Sequence, residues 1–313
     1  PAPHQEDPVR HRPALAAAAL TAGLLAPGTA AAAPPRAVVV PCGAVLTTSV
    51  RLAADVACPG GTGITLAADG VELNLNGHRL TGPDDGSGTV GVRVAARDVV
   101  VRNGTVAGWG TGVLAGTDPY GEPEQGPVGG VVRQVRAEGN GTGVEVRFEG
   151  ALAVRDSRLV GNGAGAGALY EGRLLVEGST ADRNGTGLHS FQVGWDGLVV
   201  RDSTVRGSRG AGVYCNTDGH AVLERTTVQR NTNGFGAFLC HARISGSDFR
   251  WNGEHVDPST YLVDGDFIEV TCTRFTRDGG PLPFEAEPCG TGGRVSGTIL
   301  PREPEPVPDA QAG

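Results

Sequence analysis

The sequence contains no lysine and no methionine, and all 26 of its basic residues are arginine. The absence of lysine excludes every mechanism in which a lysine acts as the general base. The formal net charge is -8, which argues against a nucleic acid as partner because phosphate backbones attract basic surfaces. Aromatic residues make up only 5% of the chain, so we expect a core filled mainly by Val, Leu, Ala and Ile.

Long hydrophobic runs are also absent. The longest apolar segment near the start, residues 14–26, has thirteen residues and is too short to span a bilayer, so we expect no membrane span. Arg-His-Arg at 10–12 precedes this segment, and four alanines at 30–33 follow it. This order predicts a signal peptide over residues 1–33 and therefore a secreted, extracellular protein. The six cysteines agree with export.

Glycine, in contrast, is abundant, with 51 residues, and much of it belongs to a repeat of about 22 residues. Each repeat opens with a corner of the type Asn-Gly-x-Gly, which is followed by a short strand. The corners begin at Asn140, Asn162, Asn184, Arg209, Asn231 and Asn252. Asn and Gly tolerate the left-handed backbone that a sharp corner needs. Self-similarity at a fixed period predicts a solenoid.

Each repeat holds three short apolar runs, such as those beginning at Val144 and Leu152 and the run that leads to Asn162. Strands this short can pair with the equivalent strand one turn later. We therefore predict an all-β, single-stranded right-handed parallel β-helix, a solenoid of about nine coils with three parallel sheets. The expected organisation is a cap at 34–60, the β-helix with its C-terminal cap at 61–290, and a Pro-rich tail at 291–313.

The corners and residues 71–78 (VELNLNGH) resemble the pectate-lyase-like superfamily. More narrowly, they are similar to secreted bacterial right-handed β-helix proteins with PbH1 repeats. The resemblance covers about residues 42–289 and is more specific for fold than for activity, because one fold hosts many functions. It implies a protein that binds polysaccharide or acts on it.

Known activities of that superfamily imply residue sets that this chain matches only in part. A lyase with arginine as base would need calcium, and the corner carboxylates Asp156, Asp182 and Asp202 do not obviously converge. Binding of calcium therefore stays an open hypothesis, and no other cofactor or metal is expected. Asn216-Thr217-Asp218 matches a single hydrolase motif, and the other hydrolase motifs are missing. A copper site would want clustered His, Met or Cys, but the histidines are scattered.

The six cysteines fall in sequential pairs, although fifteen connectivities are open to six cysteines. We expect bridges within the three pairs Cys42 and Cys58, Cys215 and Cys240, and Cys272 and Cys289. The first and last pairs bracket the two ends of the solenoid, where its core needs a cap. The middle pair lies in consecutive coils.

Alternation along the first strand of each coil predicts which side chains point out of the core. It places Glu145, Arg147, His189 and Tyr214 on one outer face within a few coils. His189 could act as acid or base near neutral pH, Tyr214 could share a proton or orient a sugar, and Arg147 could hold a carboxylate.

Loops next to this face add further candidates. Asp218 and His220 are expected at its rim and join His189 and Tyr214 as candidate catalytic residues. Trp195 and Asp196, one coil earlier, are expected to stack on a sugar and to supply a polar contact. They join Glu145 and Arg147 as candidate substrate-binding residues. The largest insertion, at 116–130, is expected nearby because solenoid insertions tend to gather on the binding face.

Two hypotheses of function follow. The first is a secreted, monomeric β-helix that binds extracellular or cell-wall polysaccharide without catalysis. The alternative is a polysaccharide-active enzyme, a lyase or glycoside hydrolase, that works on the outer face. A groove in which a carboxylate and a histidine have shifted pKa values would favour the enzyme.

Overall fold

The computed structural model describes residues 36–84, 88–116, 127–257 and 259–301, and these residues form strands and no helix. The predicted signal peptide, residues 117–126 of the insertion and residues 302–313 of the tail lie outside the described residues. The strands are β1 (Ala37–Val38), β2 (Ala44–Leu46), β3 (Val50–Leu52), β4 (Val56–Ala57), β5 (Thr62–Leu66), β6 (Glu72–Asn74), β7 (Arg79–Thr81), β8 (Val90–Val94), β9 (Val99–Ala107), β10 (Thr111–Ala115), β11 (Gly129–Glu138), β12 (Thr142–Arg147), β13 (Ala151–Arg155), β14 (Arg158–Val160), β15 (Ala164–Leu169), β16 (Arg173–Glu177), β17 (Thr180–Asp182), β18 (Thr186–Phe191), β19 (Leu198–Arg201), β20 (Thr204–Arg206), β21 (Ala211–Glu224), β22 (Thr227–Gln229), β23 (Asn233–Ser245), β24 (Asp248–Arg250), β25 (Glu254–Val256), β26 (Phe267–Phe275), β27 (Glu287–Pro288) and β28 (Arg294–Ile299).

Three parallel sheets arise because each strand pairs with the equivalent strand one turn later. Sheet A contains β2, β5, β8, β10, β12, β15, β18, the first parts of β21 and β23, and β25. Sheet B contains β1, β3, β6, the first parts of β9 and β11, β13, β16, β19, the second parts of β21 and β23, and the first part of β26. Sheet C contains β4, β7, the second parts of β9 and β11, β14, β17, β20, β22, β24 and the second part of β26.

The strand pairing confirms the predicted parallel β-helix, with about ten turns where nine were expected. Val144 pairs in parallel with Ala166, and Ala166 pairs in parallel with Leu188 one turn further on. The stack of parallel strands already begins with β1, which pairs in parallel with β3. Among the described residues, no helical segment is long and apolar enough to cross a membrane.

Small aliphatic side chains fill the core, as the low aromatic content predicts. The sheet A strands turn these residues into the core, where all are fully buried: Val92, Val113, Val144, Leu188, Val213 and Phe235. Trp109 is an exception that the sequence analysis missed, since this large ring is also fully buried. A Cβ added at Gly63, Gly82 or Gly91 would lie within 3.0 Å of the Trp109 ring, so three glycines make room for it.

A ladder of buried asparagines runs along the corner between sheets C and A. The Oδ1 of Asn162 accepts from the backbone N–H of Asn140 at 2.9 Å and from its Nδ2 at 3.0 Å, and Asn184 repeats this arrangement toward Asn162. The corner at Arg209 was assigned wrongly. Ser208 occupies the ladder position and donates its backbone N–H to Asn231 Oδ1.

The reason for this error is one extra residue before the strand in that coil. Val213 comes five residues after Ser208, whereas Leu188 comes four residues after Asn184, and yet Val213 and Leu188 are register partners. The extra residue lets Arg209-Gly210-Ala211-Gly212 imitate the repeat one position too late. Arg209 instead donates its backbone N–H to the Asn184 carbonyl, as Gly185 does to the Asn162 carbonyl.

A second ladder, made of hydroxyl groups, runs along the corner between sheets B and C. Ser157 Oγ accepts from the backbone N–H of Val135 at 3.1 Å, and Ser179 and Ser203 continue the series at 3.1 Å each. These three serines are buried. Both ladders satisfy backbone donors at corners where the strands cannot do so.

All three expected disulfides are formed. Their Cα–Cα separations are 5.5 Å for Cys42–Cys58, 5.8 Å for Cys215–Cys240 and 5.3 Å for Cys272–Cys289. At the C-terminal end, β28 pairs antiparallel with β26 and with β27. The last parallel coil is therefore covered by strands of a different orientation, which keeps its edge from remaining open.

Candidate functional site

Register in sheet A places three of the candidate residues in one outward-facing column. Glu145 pairs with Gly167, Gly167 with His189, and His189 with Tyr214. Arg147 lies two residues further along its strand and therefore faces the same side. Glu145, Arg147, His189 and Tyr214 thus lie on the outer side of sheet A, where alternation placed them.

Glu145 and Arg147 form an ion pair at the start of this column. The Glu145 residue is only 4% exposed, so its carboxylate is buried against the arginine. Both residues line a shallow groove together with Arg93 and Leu114 from preceding coils. Because the pair is formed within the protein, Arg147 can hold a ligand carboxylate only by sharing its guanidinium with Glu145.

His189 leans toward this ion pair. A Cβ added at Gly167 would lie 2.3 Å from the His189 ring, so the absence of a side chain at 167 lets the ring fold over the preceding coil. Burial lowers the pKa of His189, while Glu145 and the Ala166 carbonyl oppose that effect and Arg147 adds to it. The imidazole is therefore neutral at neutral pH and can accept a proton.

Tyr214 leans the opposite way. A Cβ added at Gly236 would lie 3.0 Å from the Tyr214 ring and 3.6 Å from the Cβ of Asp257. His189 and Tyr214 are register partners, but each ring covers the glycine on its far side. The two rings therefore point apart, so His189 and Tyr214 do not form the single site that was expected.

Asp218 and His220 lie at the corner between sheets A and B, where they line a cleft that the sequence analysis did not identify. Phe148 and Tyr170 form one wall and are stacked with ring centroids 4.8 Å apart and an interplanar angle of 4°. Tyr170 is 36% exposed, so the part of its ring that Phe148 and the edge-on ring of Phe191 leave uncovered is open to a ligand. We call these four residues, with Glu171, Gln192, Val193 and Gly194, the corner cleft.

A sequence signal for the aromatic wall did exist. Phe148 and Tyr170 are 22 residues apart, one repeat, and each directly follows the last residue of a sheet A strand. Both have positive φ, 32° and 48°, as the corner demands. Aromatic residues recurring at one corner position in consecutive coils predict stacked rings on the surface.

The loop residues Trp195 and Asp196 do not form the expected pair. Trp195 packs toward later coils, with the guanidinium of Arg243 4.2 Å from its ring centroid and the His220 ring 4.6 Å away. Asp196 points to an earlier coil, where it lies 3.6 Å from Arg173. Arg243 and His220 already occupy part of the Trp195 surface that was expected to stack on a sugar.

Two of the three corner carboxylates considered for calcium, Asp182 and Asp202, are held by arginines. Arg206 donates to Asp182 through Nε at 3.1 Å, and Arg225 donates to Asp202 through Nε at 2.7 Å. The Arg225 hydrogen bond holds the pKa of Asp202 below its usual range. The part of the chain that the structure describes has no group of three or more His, Cys, Asp or Glu arranged to hold a metal ion.

Comparison with known proteins gives one similar structure. No protein-family model matches the chain, and no curated protein sequence matches it. The A-module of a mannuronan C-5 epimerase from Azotobacter vinelandii superposes with a TM-score of 0.41 at 13% sequence identity. The match covers 77% of this chain and 78% of that chain. A likeness this distant says nothing about activity or substrate.

Proposed function

We propose that this protein is a secreted β-helix that binds a polysaccharide in the corner cleft. The observation that supports the proposal is the exposed aromatic stack of Phe148 and Tyr170 beside the polar side chains of Asp218 and His220. An aromatic face packs against the C–H groups of a sugar ring, and neighbouring polar groups bind its hydroxyls. The three disulfides are consistent with an extracellular protein.

The charge of the corner cleft favours a neutral sugar. Among the residues that the structure describes, its lining includes the carboxylates of Glu171 and Asp218 and no arginine. Carboxylates accept hydrogen bonds from sugar hydroxyls but repel a uronate. We therefore propose neutral cell-wall or extracellular polysaccharide as the ligand of this cleft, bound by a monomeric protein.

The test is a binding measurement by affinity electrophoresis and calorimetry against neutral and uronate polysaccharides. We expect Tyr170→Ala to weaken binding of the neutral polysaccharide about tenfold, since loss of one stacking ring removes roughly 1–1.5 kcal/mol. Asp218→Asn should weaken it less. Tyr261→Ala is the matched control, because Tyr261 is 53% exposed and stacks on Phe238 outside the corner cleft. Equal losses in Tyr170→Ala and Tyr261→Ala would refute the assignment.

An enzymatic function is a second candidate, supported by the neutral imidazole of His189 beside the Glu145–Arg147 pair. In a uronate lyase, His189 would take the proton next to the substrate carboxylate while Arg147 held that carboxylate. The glycosidic C–O bond would break as a C=C bond formed, and the proton taken by His189 would pass to the leaving oxygen, directly or through a water molecule. Release of unsaturated product from a uronate polysaccharide, lost in His189→Ala, would support this function. No product from a panel of uronates would reject it.

A further inference from the structure

A surface cluster of one tryptophan and two arginines lies at the corner between sheets C and A, away from the corner cleft. Trp251 is 51% exposed. The guanidinium carbon of Arg230 lies 5.0 Å from the Trp251 ring centroid, and that of Arg250 lies 5.4 Å from it. A tryptophan is the best aromatic partner for a cation, so these contacts hold the two guanidinium groups beside an exposed ring.

The backbone at this cluster adopts a conformation that favours glycine. Arg230 and Trp251 have φ values of 55° and 54°. Gly139, Gly161 and Gly207 occupy the same corner in other coils, with φ of 62°, 64° and 66°. Bulky side chains rarely adopt positive φ, although other corner residues of this chain, Arg183 among them, share this conformation. The chain thus places arginine and tryptophan where glycine would fold with less strain.

The two arginines also differ from their neighbours in their electrostatic partners. Arg206 and Arg274 on sheet C are paired with Asp182 and Asp248. Within the described ranges, neither Arg230 nor Arg250 has a carboxylate within ion-pair distance.

Two further observations concern the polar groups at the cluster. The Nε of Arg250 is buried without a hydrogen-bond partner among the described residues. Asp278 is a carboxylate next to the cluster, and the neighbouring Thr276 hydroxyl and backbone N–H groups, that of Trp251 among them, lower its pKa. Arg230 is exposed and Arg250 is half-buried, so part of each guanidinium group remains open to an external anion.

We propose that Arg230, Trp251 and Arg250 form a binding site for an acidic sugar, with a uronate unit as its ligand. The part of the indole ring that the two arginines leave exposed would pack against the C–H face of the sugar, and the guanidinium groups would donate to its carboxylate. The proposal goes beyond the proposed function, because this site lies at another corner and has the opposite charge preference from the corner cleft.

The test uses the intact protein and two probes that differ only in charge. A galacturonate oligosaccharide and its methyl-esterified form have the same ring and length, but the ester lacks the carboxylate charge. By calorimetry we expect the acidic form to bind at least tenfold more tightly and to lose affinity as salt is raised. Equal affinity for the two forms, or no binding of the acidic form at millimolar concentration, would overturn the proposal.

Variants then locate the binding. Arg250→Gln and Arg230→Gln should each weaken the acidic probe about tenfold, and Trp251→Gly should remove binding while the fold persists, because glycine suits this corner. Circular dichroism and the thermal midpoint check that Trp251→Gly remains folded. The matched control is Arg183→Gly, which removes an arginine with φ of 53° from the same corner in an earlier coil.

The Arg183→Gly control tests whether binding depends on this cluster or only on the net charge of the protein. Arg183 is paired with Asp182 at 3.4 Å and has no tryptophan beside it, so we expect Arg183→Gly to bind as the wild type does. If Arg183→Gly loses as much affinity as Arg230→Gln, net charge rather than this site explains binding. If Tyr170→Ala removes binding of the acidic probe, the ligand occupies the corner cleft and the proposal is wrong.

Discussion

At the scale of single residues, backbone conformation decides what several corners of this β-helix tolerate. Gly161 has φ of 64°, and a Cβ added there would meet nothing within 4 Å. Space therefore does not require glycine at 161, whereas the left-handed conformation does. Gly60 offers a comparison, since a Cβ added there also meets nothing and its φ lies outside the positive range.

We expect Gly161→Ala to lower the free energy of unfolding by about 1 kcal/mol, because alanine is strained at positive φ. Gly60→Ala should change it by less than about 0.5 kcal/mol or raise it slightly, since alanine restricts the unfolded chain. Urea denaturation of both variants measures the difference. Similar losses in the two variants would contradict the role of φ.

His255 closes the asparagine ladder as a neutral imidazole. Its Nε2 donates to the Thr276 carbonyl at 2.6 Å, so its Nδ1 carries no proton and accepts from Asn252 Nδ2 at 3.2 Å. Burial lowers the pKa of His255, although the Thr276 hydrogen bond and nearby carboxylates oppose the effect. A proton on Nδ1 would face the Asn252 amide donor, which explains why the folded state resists protonation.

The pH dependence of stability follows from this lowered pKa. Above the unfolded pKa of about 6.5 the histidine is neutral in both states and stability is complete. Below it the unfolded chain takes up the proton first, so the free energy of unfolding falls by up to about 1.4 kcal/mol per pH unit. We expect His255→Gln, which keeps a donor and an acceptor, to reduce the slope between pH 6.5 and 5 in denaturant titrations. An unchanged slope would show that His255 is not responsible.

At the scale of strands and coils, much of the fold was predictable because alternation and repeat spacing are local properties. The 22-residue period predicted the parallel strands, and the alternation of side chains along each strand predicted the outward positions of Glu145 and His189. The direction of each side chain was not predictable in the same way. It depends on which neighbour in the next coil is glycine, so Gly167 and Gly236 decide that His189 and Tyr214 point apart.

Local irregularities caused the remaining errors. The extra residue before Val213 shifted the apparent corner from Ser208 to Arg209. The loop residue Trp195 was expected on a binding surface, but Arg243 lies over its ring from a strand two coils away. Contacts of that kind depend on tertiary packing, which sequence spacing alone does not report.

Ser208 interrupts the asparagine ladder and offers a test of its energetics. Its Oγ is buried without a hydrogen-bond partner among the described residues. A Cβ added at Gly187 would lie 3.0 Å from Ser208 Oγ, much as one at Gly165 would lie 2.9 Å from Asn184 Nδ2. The site therefore has the same glycine neighbour as a regular ladder position.

We expect Ser208→Asn to raise the free energy of unfolding by about 1 kcal/mol, since it would supply an acceptor to Asn184 and restore the ladder. Asn162→Ala should lower it by about 3 kcal/mol, because it leaves the buried donors of Asn140 without their acceptor. Thermal and urea unfolding measure both changes. A destabilised Ser208→Asn protein would mean that the extra residue in that coil prevents the ladder geometry.

At the scale of the whole β-helix, each coil contacts only the coils before and after it, so stability passes from neighbour to neighbour. The disulfides act at different points of this series. Cys42–Cys58 lies in the first coils, while Cys215–Cys240 joins two coils deep in the ladder, where both cysteines are fully buried. Removing either disulfide should lower the free energy of unfolding by about 3 kcal/mol, but the coils that lose protection should differ between the two variants.

Hydrogen exchange resolves where each disulfide acts. We expect Cys42→Ala/Cys58→Ala to speed exchange in β2 to β7 and to leave β15 to β18 protected, because several coils separate them. Cys215→Ala/Cys240→Ala should speed exchange in β18, β21 and β23, whose pairing depends on the bridged corner. Uniformly faster exchange in the first variant would mean that the β-helix opens as one cooperative unit. In that case nearest-neighbour coupling would be the wrong description, because loss of the first coils would expose the core edge of every later one.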